Sequence, residues 1–233
     1  MQYLFIVTYG RTGSTAVQMA LNALPGYCIR GENGGVLELL ARSSNAVANA
    51  QADPSRQATD PTHPWYGIED VDQGTFGGEL KKLFVDHVLR PPAGTRVAGF
   101  KEIRYAWLSD EQFFGFLEFA QTHFSPRFIF LTRDPQEASR SGMWANENSA
   151  FKQLKLARDR LEKATTSYDG FLLDHSEFAK DPEGIRPLVE WLGEDPRPAI
   201  ESLGTRLTHM QQFNRKNAAE KIADKLRKLT GKA

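Results

Sequence analysis

The chain has 233 residues, of which 40% are hydrophobic and 25% are charged, as is ordinary for a globular protein with a sizeable core. Its 29 basic and 29 acidic residues cancel, so no overall positive field favours nucleic acid or an anionic membrane. Its single cysteine, Cys28, excludes an internal disulfide and a cysteine zinc cluster.

The N-terminal segment lacks the charged start of a secretory signal, and its apolar run is too short to cross a membrane. We therefore expect a single domain over residues 1–233 in a cytoplasmic setting, with no membrane span.

The first predicted element is a strand over Tyr3 to Tyr9, a short apolar run rich in β-forming residues. The segment GRTGST (10–15) interrupts this run, and apolar residues then recur at helical spacing up to Leu24. A tight turn between strand and helix directs backbone N–H groups and the helix dipole at one point, which favours a bound phosphate. The alternative is an ordinary helix that Ser14 caps.

The candidate phosphate-binding residues of this segment are Gly10, Arg11, Thr12, Gly13, Ser14 and Thr15. Their spacing differs from the nucleotide-hydrolase motif GxxxxGK[ST], because the two glycines are too close together and no lysine follows the second one.

A second strand over 26–30 leads into the glycine-rich segment 31–35 and a helix over 36–50. Residues 51–77 are polar and contain three prolines, which predicts a long loop or lid. Within it, the rings of Trp65 and Tyr66 either stack on a sugar or adenine or simply anchor the loop.

Further strands and helices alternate along the rest of the chain. Asp134, Pro135 and Glu137 predict a helix start with a capping box, and we expect Ser141 two turns up that helix. The predicted elements are a helix over 79–89, a strand over 96–100, a helix from Ser109, strands over 127–132 and 170–173, helices over 151–165 and 177–192 (interrupted near Pro182), and a basic amphipathic helix over 215–232.

This alternation predicts an α/β fold, with a parallel β-sheet flanked by helices on both faces. Charged clusters follow four of the strands directly, at 10–15, 30–32, 101–104 and 133–134. Because parallel strands end at the same edge of a sheet, we expect these clusters to form one site there.

Arg133 and Ser141 stand eight residues apart across a predicted strand-to-helix junction. A guanidinium and a hydroxyl so placed can bind one phosphate, since arginine presents its donors as a fixed fork. The alternative is that Arg133 pairs with Asp134 or Glu137.

Together, the segment 10–15 and the pair Arg133 and Ser141 resemble the 5′-phosphosulfate loop and the 3′-phosphate-binding pair of sulfotransferases that use 3′-phosphoadenosine 5′-phosphosulfate (PAPS). Softer matches to bacterial members are PGYCIRGENGG (25–35), HPWYG (63–67), GFKEIRY (99–105) and DPEGIRPLVEWLGE (181–194). The resemblance covers most of residues 1–193. The segment that covers the nucleotide in cytosolic members has only a faint counterpart at 215–217.

The resemblance implies a P-loop NTPase-like fold and transfer of a sulfuryl group from PAPS to a hydroxyl or amine of a glycan, glycolipid or small metabolite, without a metal. Adenosine 3′,5′-bisphosphate is the second product. It implies that Arg11, Ser14 and Thr15 bind the leaving 5′-phosphate and that Lys101 contacts the sulfonate. The competing hypotheses are a nucleotide-dependent kinase of similar fold and a non-catalytic binder of nucleotides or sulfated glycans.

The resemblance leaves the base that deprotonates the acceptor open. Glu32 lies among glycines after the second predicted strand, where an acceptor can approach, unless it pairs with Arg30 or Arg11. Glu102 and His63 are the alternatives, although Glu102 is expected to point to the other face from Lys101.

Overall fold

The structure is a computed structural model that describes residues 1–145 and 148–209. The predicted helix at 215–232 and the segment 215–217 lie outside these residues. The helices and strands are β1 (Gln2–Thr8), α1 (Ser14–Asn22), β2 (Tyr27–Arg30), α2 (Val36–Ala52), α3 (Gln73–Leu83), β3 (Val97–Glu102), α4 (Asp110–Phe124), β4 (Arg127–Thr132), α5 (Pro135–Ser139), α6 (Ala150–Ser167), β5 (Gly170–Asp174), α7 (His175–Phe178), α8 (Arg186–Trp191) and α9 (197–209).

The five strands form one parallel sheet in the order β2-β3-β1-β4-β5, which confirms the predicted α/β fold. The chain leaves β1 toward the β2 side of the sheet and leaves β4 toward the β5 side. The segments that follow β1 and β4 therefore diverge and open a crevice at the carboxyl edge, where α/β proteins commonly bind ligands.

The pleat of the central strand divides the hydrophobic core into two layers. Phe5 and Val7 of β1 point into an aromatic-rich layer under α2, α4 and α6, whereas Leu4 and Ile6 point into a second layer under α1, α8 and α9. All four side chains are at most 1% exposed. Successive residues of a strand face opposite sides, so burial on both faces explains why β1 is an unbroken apolar run.

The polar segment between α2 and α3 is shorter than predicted. α2 continues to Ala52, and α3 begins at Gln73 because the side chain of Asp72 accepts a hydrogen bond from the Thr75 amide. Residues 53–72 contain two 3₁₀ turns. The predicted helix over 79–89 is the end of α3 and a π-helical turn at Phe84–Leu89.

The helix after β4 is also shorter than predicted, so the placement of Ser141 two turns up a helix is wrong. Asp134 does cap the helix through the Glu137 amide, but α5 ends at Ser139, and Ser141 has an extended backbone. The Ser139 hydroxyl donates to the carbonyl of Gln136, a local hydrogen bond of the kind that competes with helix formation. The predicted capping box is half formed, because the Glu137 carboxylate faces Arg133.

The close approach of β1 and β3 depends on the absence of a side chain at Gly99. An added Cβ there would lie 1.6 Å from the carbonyl oxygen of Leu4, its neighbour in the sheet. We expect Gly99→Ala to lower the free energy of unfolding in urea by at least about 2 kcal/mol. As the control, Gly78→Ala on α3 should stabilise by about 0.5–1 kcal/mol, since its Cβ meets no atom within 4 Å. Equal effects of the two substitutions would contradict this account.

Candidate functional site

A cavity of about 410 Å³ opens at the carboxyl edge of the sheet, within the size range of small-ligand sites. Residues from the ends of β1, β3, β4 and β5 and from the segment after β2 meet there. Its lining consists of Gly10, Arg11, Gly13, Ser14, Thr15, Ala16, Glu32, Lys101, Ile103, Arg133, Gly142, His175 and Arg206. The structure therefore brings most of the predicted site residues to one place. A larger cavity, about 570 Å³, lies between α1 and α9 and shares only Arg206 with this lining.

Gly13 lets the loop turn sharply into α1. It has φ +80°, and an added Cβ would lie 2.9 Å from the rings of His175 and Phe178. Gly13 is also the N-cap of α1, so the alternative of a helix capped by Ser14 is wrong. The first amides of α1 have no partner within the helix, and its first turn contains no acidic residue, so this end favours an anion.

Arg11 has φ +76°, a conformation that is uncommon for residues other than glycine and that is found at functional sites. Its Nε donates to the hydroxyl of Ser141 at 2.9 Å, and its carbonyl accepts from Nη1 of Arg133 at 2.9 Å. The residues predicted to bind the two phosphates are therefore in direct contact. Arg133 also approaches Glu137 at 3.3 Å, so that predicted alternative pairing is present as well.

Thr12 is fully buried, and its side chain faces away from the cavity. Its hydroxyl donates to the carbonyl of Tyr9 and lies 2.8 Å from the hydroxyl of Thr8, which in turn donates to the carbonyl of Leu131 on β4. The Thr12 side chain thus stabilises the loop and leaves only its backbone for a ligand.

Tyr9 connects the loop to the end of β4. Its hydroxyl donates to the carbonyl of Arg133 and accepts from the amide of the same residue at 2.9 Å. Burial raises the pKa of Tyr9 to about 12, so the phenol stays neutral and makes both bonds at ordinary pH.

Glu32 forms an ion pair with Lys101, and not with Arg30 or Arg11, the partners in the alternative interpretation. Arg30 donates to the carbonyls of Leu89 and Arg90. The Lys101 side chain is 8% exposed and that of Glu32 is 39% exposed, so the carboxylate is open to the cavity and the ammonium is largely enclosed.

The two alternative bases lie elsewhere. Glu102 is fully buried, and its carboxylate accepts from the amides of Asn33, Gly35 and Ile103, so it anchors the segment after β2. His63 lies in a turn, where its Nδ1 accepts from the Trp65 amide, and it does not line the cavity. The Trp65 ring packs 4.5 Å under the guanidinium of Arg56, also away from the cavity.

Two of the polar side chains that line the cavity, His175 and Arg206, were not predicted from the sequence. His175 directly follows β5, so the end of a fifth strand was an available signal. Burial, followed by the charge of Arg133, lowers the pKa of His175; Arg11 adds to this effect, and Asp174 and Glu137 oppose it. Arg206 lies on α9, and its buried Nε has no hydrogen-bond partner among the described residues. No local pattern predicts that α9 returns to this edge.

The part of the chain that the structure describes has no helix long and apolar enough to span a membrane. In residues 1–145 and 148–209, no group of three or more His, Cys, Asp or Glu side chains is arranged to hold a metal ion.

No protein-family model and no curated protein matches the chain. Among solved structures, it is similar to the crystal structure of sulfotransferase STF9 from Mycobacterium avium, with a TM-score of 0.51 and 15% identity over 89% of this chain and 68% of that one. It also matches a sulfotransferase structure from Alicyclobacillus acidocaldarius, with a TM-score of 0.47 and 15% identity over 84% and 82% of the two chains. The first similarity shows that the chain has a sulfotransferase-like α/β fold.

The position of His175 among arginines predicts that anion binding at this cavity takes up a proton. The free imidazole is neutral at pH 7 because its pKa is lowered, and a bound dianion offsets the arginine charges and favours the imidazolium. Calorimetry with adenosine 3′,5′-bisphosphate in two buffers of different ionisation enthalpy should show proton uptake that His175→Gln abolishes. His123→Gln is the matched control, since the pKa of His123 is also lowered but the residue lies outside the cavity. Uptake that persists in His175→Gln would contradict the prediction.

Proposed function

We propose that this protein is a PAPS-dependent sulfotransferase, which transfers a sulfuryl group to a hydroxyl or amine of a glycan, glycolipid or small metabolite. The observation that carries the proposal is the convergence of the loop 10–15, Arg133 and the Glu32–Lys101 pair on one cavity. The sulfotransferase-like fold supports it.

The donor nucleotide would bind through the end of the cavity formed by the loop 10–15 and Arg133. Arg11 and Arg133 offer fixed positive charge there, and the first amides of α1 offer N–H donors. A phosphate at this position would replace the Ser141 hydroxyl as partner of Arg11 Nε, or lie between them. Arg133 and Ser141 are the proposed contacts of the 3′-phosphate.

The Glu32–Lys101 pair would act at the reacting atoms. In the proposed step the acceptor oxygen attacks sulfur, the bond between sulfur and the bridging oxygen breaks, and the electron pair of that bond remains on the 5′-phosphate. The acceptor proton passes to Glu32. Lys101 contacts the sulfonate, and Arg11, Ser14 and Thr15 stabilise the charge that develops on the bridging oxygen.

Exposure separates Glu32 from Glu102 as the proposed base. The carboxylate of Glu32 is 39% exposed beside the cavity, whereas that of Glu102 is 1% exposed and bonded to three amides. A base must come within hydrogen-bond reach of the acceptor proton, and the exposure of Glu32 to the cavity supports its assignment.

The proposed donor site predicts that adenosine 3′,5′-bisphosphate, without magnesium, stabilises the protein. At one hundred times its dissociation constant the melting temperature should rise by about 5–10 °C. Arg133→Ala should weaken bisphosphate binding more than 5′-AMP binding, while Arg140→Ala, an exposed neighbour outside the cavity, should change neither. Stabilisation by ATP with magnesium alone would favour a kinase, and equal losses for both nucleotides would remove the role of Arg133 at the 3′-phosphate.

The proposed base predicts that Glu32→Gln lowers turnover by about 10²–10⁴-fold and leaves bisphosphate binding within a factor of three or so. Transfer of sulfur-35 from labelled PAPS to a panel of sugars and phenols measures turnover. Glu111→Gln, an exposed residue of α4, is the control. Full turnover in Glu32→Gln would show that Glu32 is not the base. Tight bisphosphate binding with no transfer to any acceptor would favour a non-catalytic binder.

A further inference from the structure

A second cavity, of about 260 Å³, lies next to the first at the same edge of the sheet. The pleat of β3 separates the two, because Lys101 and Ile103 line the first cavity whereas Glu102 and Arg104 line the second. Gly34 lines the second cavity two residues after Glu32, so its Cα lies within about 7 Å of the Glu32 Cα. The second cavity therefore borders the proposed base.

Glu38, on α2, presents a buried carboxylate to this cavity. Its side chain is 7% exposed, and its Oε1 has no hydrogen-bond partner among the residues that the structure describes. Nε of Arg42 lies 2.9 Å from this oxygen and forms an ion pair with it, but the angle is not that of a hydrogen bond. Burial raises the pKa of Glu38, and Arg42 opposes this rise. The Arg42 guanidinium offsets the charge of Glu38, but a carboxylate oxygen can accept a further hydrogen bond, so a ligand hydroxyl bonded to it would bring a net gain.

Trp107 gives the cavity a rigid aromatic wall. Its side chain is 44% exposed, and its indole stacks on the buried Trp144 with ring centroids 5.0 Å apart and planes at 16°. The stack holds the ring in one orientation, so little conformational entropy is lost when a second flat surface packs against it.

The charges around the cavity favour a neutral ligand. Glu38 and Arg42 neutralise each other, and the oxygens of Glu102 are bonded to backbone amides. Arg104 is 60% exposed and lies 3.9 Å from Glu102, which leaves guanidinium donors directed at the cavity rim. The volume is slightly below that of a site for a drug-sized ligand, so it suits a single ring.

We propose that this second cavity is the acceptor subsite and that it binds one neutral carbohydrate ring, with a ring face on Trp107 and a hydroxyl donating to Glu38. The subsite holds a further hydroxyl of the sugar toward Glu32 at the shared border. Arg104 donates to the remaining hydroxyls. The claim that the bound ring is the sulfuryl acceptor rests on the proposed sulfotransferase function. The claim that the ligand is a neutral carbohydrate ring rests on the cavity itself.

Saturation-transfer NMR tests the subsite with methyl β-D-glucopyranoside and methyl β-D-galactopyranoside, and with cyclohexanol and phenol as ring-sized non-sugars. Each is measured with and without saturating adenosine 3′,5′-bisphosphate. We expect at least one glycoside to bind, and Trp107→Ala and Glu38→Gln each to weaken it about fivefold or more. Trp65→Ala is the matched control, because Trp65 is similarly exposed, at 40%, but outside the cavity. Trp107→Phe, which keeps an aromatic face, should retain binding where Trp107→Ala loses it.

Three results would overturn the proposal: neither glycoside binds up to 50 mM or so, phenol or cyclohexanol binds more tightly than both, or the glycoside binds equally well to Trp107→Ala and Trp65→Ala. Melting temperatures and bisphosphate binding of the variants show that they are folded. Glycoside binding that depends on Trp107 and Glu38 in a protein that ignores the bisphosphate would support the carbohydrate site and reject the sulfotransferase. Bisphosphate binding without glycoside binding would support the proposed donor site and reject the carbohydrate subsite.

Discussion

The hydroxyl of Tyr9 holds together the two segments on which the candidate donor site depends. β1 and β4 are neighbours in the sheet, but the chain leaves them in opposite directions, and Tyr9 spans the gap by bonding both backbone groups of Arg133. Arg133 in turn bonds the carbonyl of Arg11. The position of the loop 10–15 and the position of Arg133 are therefore coupled. The hydrogen bonds that couple them lie in a buried environment, where water does not easily replace them.

Much of the fold was predictable from the sequence, because its strands are buried on both faces and its helices carry clear start signals. The apolar run of β1 and the helix start at Ser109 are local patterns that the structure confirms, with Ser109 as the N-cap of α4. The errors concern elements whose limits depend on a few side-chain bonds. Asp72 starts α3 earlier than periodicity suggests, and the turn after Ser139 ends α5 sooner.

The candidate site was predictable only in part. The rule that parallel strands end at one edge brings together Arg11, Lys101 and Arg133, because it needs no knowledge of side-chain direction. Predicting the pairing of Glu32 with Lys101 would require the register of β3 against β2 and β1, which cannot be derived from the sequence. Arg206 requires knowledge of where α9 packs, and that is decided by the whole core on one side of the sheet.

The pleat at the end of β3 has a consequence for both cavities. Lys101 and Glu102 face different cavities, so a one-residue insertion or deletion in β3 would exchange them and damage both at once. Point substitutions on the Arg104 and Trp107 side, by contrast, leave the groups around Lys101 untouched. A change in the shape of the second cavity therefore requires no change around Lys101, whereas both cavities constrain the length of β3.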